Sequence, residues 1–252
     1  MKEINSTKNA QIKEIKKLHK RKYREKMGKY LLEGFHLVEE AVLNNAQVIL
    51  LIIDERGYLQ WGDWLLNQPI ESWLVSEEVM KDLSELPTPQ GILAIVKKEE
   101  RAPINYRGKW LLLDNIQDPG NVGTMIRTAD AAGFDGVLLG KGTADVYMTK
   151  VLRSMQGSQY HLSIYSGELE EEIKHFKKEG IPIYGTALNK EALVYNQVEK
   201  SSEVALILGN EGAGVSKDLL EHTDANLYIP IYGKAESLNV AVAAALVMYV
   251  FT

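Results

Sequence analysis

Along the whole chain, short apolar runs take turns with stretches whose apolar positions recur every three or four residues. A chain patterned this way builds layers of helix on sheet. Its first part predicts strands at 30–32, 48–53, 73–75 and 92–96, with helices at 35–44, 59–66 and 77–83 between them. A later part predicts strands at 110–113, 136–139, 183–187, 204–208 and 227–229, apolar without alternation, as in a parallel sheet buried on both faces. Between the two, KKEERAPINYRGK has no apolar period and contains Pro103 and Gly108, which marks a linker over 98–108. The expected organisation is α/β throughout, with a small α/β unit at 1–97 and a parallel-sheet unit at 109–252.

The chain of 252 residues has no cysteine, which excludes disulfides, thiolate nucleophiles and Cys-type zinc sites. His19, His36, His161, His175 and His222 lack metal-ligand spacing, so no metal is expected. The first residues are polar, and the apolar run at 238–251 is shorter than the ~20 residues of a membrane span. A soluble, cytoplasmic protein with no membrane partner is expected. Net charge is −5, but the first 30 residues hold eleven Lys and Arg against three Glu, a surplus of +8 that leaves −13 on the remainder. Within that segment Ile12, Ile15, Leu18 and Tyr23 have helical spacing, predicting one basic amphipathic helix over 9–26. Its Lys13, Lys16, Lys17, Lys20, Arg21, Lys22 and Arg24 either form a solvated face or contact nucleic-acid phosphates.

Three glycine-punctuated segments of the later unit each follow a predicted strand, at the edge where open parallel sheets hold ligands. In LLLDNIQDPGNVGTMIRTADAAGF, Asp118 can cap and Pro119 can open a helix with an apolar stripe at Val122, Met125, Ile126, Ala129 and Ala132. Arg127 lies off that stripe, where it either pairs with Asp130 on a wet surface or faces a ligand. In VALILGNEGAGVS a strand runs into a turn with Gly209, Gly212 and Gly214 around Glu211. Glycines there permit positive φ and close approach of a bound molecule. Their G-x-x-G-x-G spacing differs from the dinucleotide G-x-G-x-x-G, which argues against a nucleotide-dependent oxidoreductase. In IPIYGKAESLNVAVAAALVMYVF, Ser237 or Asn239 can cap a helix apolar on nearly every side, predicted to be fully buried. Ala241, Ala244, Ala245 and Met248 on it permit close approach of another helix.

Taken together, these segments resemble the three signature motifs of the SpoU (TrmH-like) branch of the SPOUT superfamily, RNA 2′-O-ribose methyltransferases, in the right order. The upstream YLLEGFHLVEEAV is similar to the opening of the substrate-binding domain that precedes many such catalytic domains, particularly those acting on ribosomal RNA. The resemblance implies a C-terminal SPOUT domain whose parallel sheet carries a deep trefoil knot, preceded by a small α/β substrate-binding domain. It also implies a homodimer through the C-terminal domain and S-adenosyl-L-methionine as cofactor. The implied activity is methylation of a ribose 2′-hydroxyl in RNA, with rRNA favoured over tRNA. A catalytically silent RNA-binding or assembly protein of the same fold is the alternative outside enzymology. By the same resemblance Arg127, Asn121, Glu211, Ser237 and Asn239 fall on catalytic positions, and Thr186, Leu208, Gly209, Gly212, Ile229 and Leu238 on cofactor-binding ones. Two departures stand out. Ala241 occupies a position where serine is frequent, and VYMTKVLRSMQGSQYHL follows the family pattern loosely, which leaves Arg153 and Ser154 without assigned roles.

Overall fold

The computed structural model describes residues 1–99, 102–187 and 191–252, so Glu100 and Arg101 of the expected linker lie outside the described residues. The chain divides into two compact units, Met1–Glu100 with Tyr147–Tyr160, and Arg101–Val146 with His161–Thr252. Among the described residues no helix is long and apolar enough to cross a membrane.

The first unit runs β1 (Lys2–Ile4), α1 (Ala10–Lys16), α2 (Arg21–Met27), β2 (Lys29–Glu33), α3 (Phe35–Leu43), β3 (Val48–Asp54), α4 (Glu55–Leu66), β4 (Ser72–Val75), α5 (Glu77–Leu83) and β5 (Ile92–Lys97). These strands form one sheet in the order β1-β4-β3-β5-β2, with β1, β4 and β3 parallel and β5 antiparallel to both its neighbours. Ile52, Leu93 and Ile95 of the central strands pack with Ile12 and Ile15 of α1 and Met80 of α5. Strand β1 escaped the sequence reading because only one of its three residues, Ile4, is buried, too little to set up a period.

The single basic helix expected over 9–26 is two helices joined by a turn. Lys20 is extended (φ −96°, ψ 127°), ending the first helical run and starting the second. Ile12, Ile15 and Leu18 are buried as their spacing requires. Arg24, counted above among the phosphate contacts, is also buried: its guanidinium donates to the Leu18 and His19 carbonyls at 2.9 and 2.6 Å. It thus satisfies carbonyls that the helix end leaves without partners, and its charge is used inside the unit. Lys13, Lys20 and Lys22 are exposed; Lys16 pairs with Asp82, Lys17 with Glu14, and Arg21 with Glu25 at 2.7 Å.

The chain continues through β6 (Lys109–Asp114), α6 (Pro119–Ala131), β7 (Gly136–Leu139), α7 (Thr149–Met155), β8 (Ser163–Ser166), α8 (Leu169–Lys178), β9 (Ile183–Thr186), β10 (Leu193–Val194), β11 (Val204–Gly209), α9 (Lys217–Leu220), β12 (Ala225–Tyr228) and α10 (Val240–Met248). Its seven strands pair in the order β10-β12-β9-β11-β6-β7-β8, every pair parallel. Trp110, Leu112, Ile183 and Ile207 pack with Ile173 and Phe176 of α8, while α6 and α10 contact each other and α10 also meets β11. The edge strands β8 and β10 are partly exposed and so lack the continuous apolar run that reveals the central ones.

Helix α7, read from sequence as part of the later unit, belongs to the first. Val151, Leu152 and Met155 are buried, and the helix lies on β2, covering an edge strand that would otherwise be open to pairing. The Tyr147 ring is 4.7 Å from that of Tyr30, whose hydroxyl is 3.0 Å from that of Tyr160. Burial raises the Tyr30 hydroxyl well above its ordinary range, so it stays a neutral hydrogen-bonding group. Helix α10 corrects a second expectation. Ala241, Ala244, Val247 and Met248 are buried, but Val242, Leu246 and Tyr249 are 50%, 38% and 53% exposed, so the helix keeps one apolar face outward.

Candidate active site

From β6 the chain moves outward to β7 and β8, whereas β11 and β9 lie on its other side. The strand order therefore reverses between β6 and β11, whose ends are aligned with Asp114 opposite Gly209. Such a reversal leaves a crevice beyond the carboxyl ends of the strands. Into it run the turn after β6 and the turn after β11.

The first of these turns becomes α6. Asp118 caps it, accepting from the Asn121 amide at 2.9 Å, and Pro119 takes a position whose missing N–H costs nothing. The second is held by Asn210. Its side-chain oxygen accepts from the Gly212 and Ala213 amides, both at 3.0 Å, while its amide donates to the Asn115 carbonyl at 2.9 Å. Glu211 then bridges the two turns: Oε1 accepts from Asn121 Nδ2 at 3.0 Å and the Asp118 amide at 3.1 Å, and Oε2 accepts from the Gln117 amide at 3.3 Å. Burial pushes the Glu211 carboxyl up, but the donors from Asn121 and from backbone amides outweigh it, and the group sits below the usual carboxylate range. Asn239 completes the chain of contacts. Its Nδ2 donates to Asn121 Oδ1 at 3.1 Å, and its Oδ1 caps α10 by accepting from Ala241 and Val242. Residues from all three glycine-punctuated segments thus join in one network.

Next to the ends of β9 and β12 lies a cavity of about 230 Å³ with Thr186, Leu227, Ile229, Ser237 and Leu238 in its wall. Thr186, Ile229, Ser237 and Leu238 of the expected set meet here. Leu208 and Gly209 do not: both are buried within β11. The reason for glycine also differs from expectation. A Cβ at Gly209 would stand 2.0 Å from the Val215 amide nitrogen, so the turn itself already requires glycine at that position. Gly214 has φ +73°, the one positive φ among the three glycines, whereas Gly212 faces open space with nothing nearer a Cβ than Asn210 Oδ1 at 3.7 Å. Asn210 itself was missed, although an asparagine between a strand and a glycine turn is well suited to bind the backbone two residues on.

Arg127 is exposed on α6 and makes no hydrogen bond or ion pair among the described residues. The pairing with Asp130 weighed above does not form, because Asp130 Oδ2 lies 2.9 Å from His161 Nδ1 instead. The guanidinium thus stays available to a ligand, on the same helix as Asn121.

Two family models match the chain, the SpoU rRNA Methylase family over residues 109–249 and the MRM3-like substrate binding domain over residues 9–94. The chain is 47% identical over 249 residues to the 23S rRNA (guanosine(2553)-2′-O)-methyltransferase RlmP of Bacillus subtilis (strain 168), covering 99% of this chain and 98% of that protein. It is similar to the AdoMet-bound rRNA methyltransferase from Sinorhizobium meliloti, with a TM-score of 0.87, 29% identity and coverage of 99% and 96% of the two chains. It is likewise similar to the SpoU methyltransferase AviRb from Streptomyces viridochromogenes in complex with AdoMet, with a TM-score of 0.86, 28% identity and coverage of 96% and 97%. Fold and site define an RNA 2′-O-methyltransferase that uses S-adenosylmethionine. Within that class, the chain belongs to the SpoU rRNA methylase family.

Proposed function

We propose that this enzyme methylates a guanosine ribose 2′-hydroxyl in 23S rRNA. The observation that carries the reading is the Asn239–Asn121–Glu211 hydrogen-bonded chain, which ties three separate turns into one site at the strand-order reversal. The choice of RNA rests on the relative from Bacillus subtilis, whose name states that target.

The residues present fit S-adenosylmethionine. The apolar wall of Leu227, Ile229 and Leu238 suits a flat heteroaromatic ring, and Thr186 and Ser237 offer hydroxyls for its polar edges. That cofactor supplies a methyl group already activated on a sulfonium. The protein's remaining tasks are to align the hydroxyl and to manage its proton. Asn121 and Asn239 orient the substrate, because each amide is fixed by a partner: Asn239 by the start of α10 and Asn121 by Glu211. A guanidinium with pKa above about 12 is no general base. Arg127 instead grips a phosphate near the target nucleotide and stabilises negative charge growing on the attacking oxygen.

Capture of the RNA falls to the N-terminal unit, where exposed Lys13, Lys20 and Lys22 supply phosphate contacts. The enzyme works in the cytoplasm as a homodimer through the C-terminal domain, a reading supported by the outward apolar side chains of Val242 and Leu246 on α10 and of Tyr249 just after it. The deep knot of the resemblance belongs to this proposal, supported by the meeting of the 209–214 and 229–239 segments at one site. The test is transfer of labelled methyl from S-adenosylmethionine to 23S rRNA fragments and to tRNA transcripts, with the product mapped by mass spectrometry. Transfer to one ribose of a 23S fragment is expected. Transfer to tRNA alone would overturn the choice of RNA, and cofactor binding without transfer to any RNA would favour a silent binding protein.

A further inference from the structure

Within the first unit, a cavity of about 620 Å³ opens where α7 meets the turn after α1 and the loop after α5. Its wall carries His19, Lys150 and Arg153 against a single carboxylate, that of Glu85. The carboxylate is already engaged. Its Oε2 accepts from Thr149 Oγ1 at 2.6 Å, and its Oε1 lies 3.4 Å from His19 Nδ1, while His19 Nε2 sits 2.8 Å from the Leu83 carbonyl oxygen. Ser154 Oγ and Gln156 Nε2 donate to carbonyls of their own helix, at Lys150 and Arg153, and so brace it. Arg153 is exposed, and its guanidinium makes no hydrogen bond among the described residues. It does feel the buried carboxylate of Glu33, which accepts from Ser84 Oγ and from the Gln90 and Glu85 amides.

We propose that this cavity holds a phosphate of the RNA substrate, a second grip on the nucleic acid beyond the exposed lysines of α1 and α2. The inference rests on the RNA methyltransferase reading above. The Arg153 guanidinium fork, with the Lys150 ammonium on the same wall and Glu85 already held by His19 and Thr149, complements a phosphodiester rather than a cation. His19 belongs to the same basic N-terminal segment, so one RNA strand can place successive phosphates on that segment and on α7. The loosely matching segment around Arg153 and Ser154 thereby acquires a role that the three glycine segments do not provide.

The test uses the full-length protein and a 23S rRNA fragment, with affinity followed by fluorescence anisotropy across a salt series. Arg153→Ala and Lys150→Ala should each weaken binding by roughly tenfold, the scale of one charge-assisted contact. Each should also make the slope of log affinity against log salt shallower by about 0.7 to 0.9. Arg153→Lys should recover the slope without the full affinity. Cofactor affinity measured by calorimetry should not change in any of them. If Arg153→Ala fails to melt cooperatively, Lys150→Ala alone decides the question. Wild-type protein that binds and methylates RNA while both alanine variants keep its salt slope overturns this site and leaves the enzyme reading intact; wild-type protein that binds no rRNA fragment overturns both. Millimolar pyrophosphate should leave the difference between wild type and Arg153→Ala in place. If it erases that difference, the cavity takes free phosphate and the RNA assignment falls.

Discussion

Replacing Arg127 by alanine separates a structural from a chemical role for this residue, because the structure gives it no structural one. The side chain is exposed, contacts no partner among the described residues, and sits on a helix in which alanine is at least as favourable. The change in stability should therefore stay within about 0.5 kcal/mol, a shift in Tm of roughly 1 to 2 °C for a chain of this size. Cofactor affinity should hold within a few-fold, since the cavity wall at Thr186, Ile229 and Leu238 does not include Arg127. The rate of methyl transfer should nevertheless fall by ~10²- to 10³-fold, the loss expected when one preorganised donor to a developing charge is removed. Arg127→Lys should rescue little, because a point charge cannot reproduce a two-pronged grip on phosphate. The assay is single-turnover transfer of labelled methyl at saturating RNA and cofactor, run beside thermal melting. A folded Arg127→Ala protein that transfers at the wild-type rate would refute the reasoning.

Three further outcomes are expected. Gly209→Ala should destabilise the fold by about 1 to 3 kcal/mol, since its Cβ would meet the backbone at Gly214 and Val215, whereas Gly212→Ala should melt like wild type; paired melting curves check the contrast. Glu211 has a carboxyl below the ordinary value of about 4.3, so the stability it contributes is complete above that pH and is lost as pH falls through the lowered value. Wild type and Glu211→Gln should accordingly differ in Tm at neutral pH and converge in acid, and a constant difference down to pH ~3 would contradict the network. Changing Lys13, Lys20 and Lys22 together to alanine should weaken RNA binding and flatten its salt slope, whereas Arg24→Ala should show itself chiefly as lost stability, because that guanidinium is buried on backbone carbonyls.

What could be read from the sequence followed how fully each element is buried. Strands β3, β5, β6 and β11 announce themselves because both their faces are covered, and Ile52, Leu112 and Ile207 leave unbroken apolar runs. Strands β1, β8 and β10 sit at sheet edges, where half-exposed residues carry no period. In the site, Asp118, Pro119 and Asn239 were legible because capping is a local matter, settled within three residues. The bridge from Glu211 to Asn121 joins positions 90 residues apart, and no local pattern encodes it. Arg24 misled for a related reason: a charged residue reads as surface, and only the packed unit shows that two helix-end carbonyls needed it.

The placement of α7 means that the boundary between the units is not a single point on the chain. The backbone passes from one unit to the other at three places, near residues 100, 146 and 160. A fragment starting at residue 108 would carry α7 without the surface that buries Val151, Leu152 and Met155, leaving three apolar side chains to seek another partner. Grafting a foreign substrate-binding domain onto this catalytic sheet would require exchanging residues 147–160 together with the first hundred.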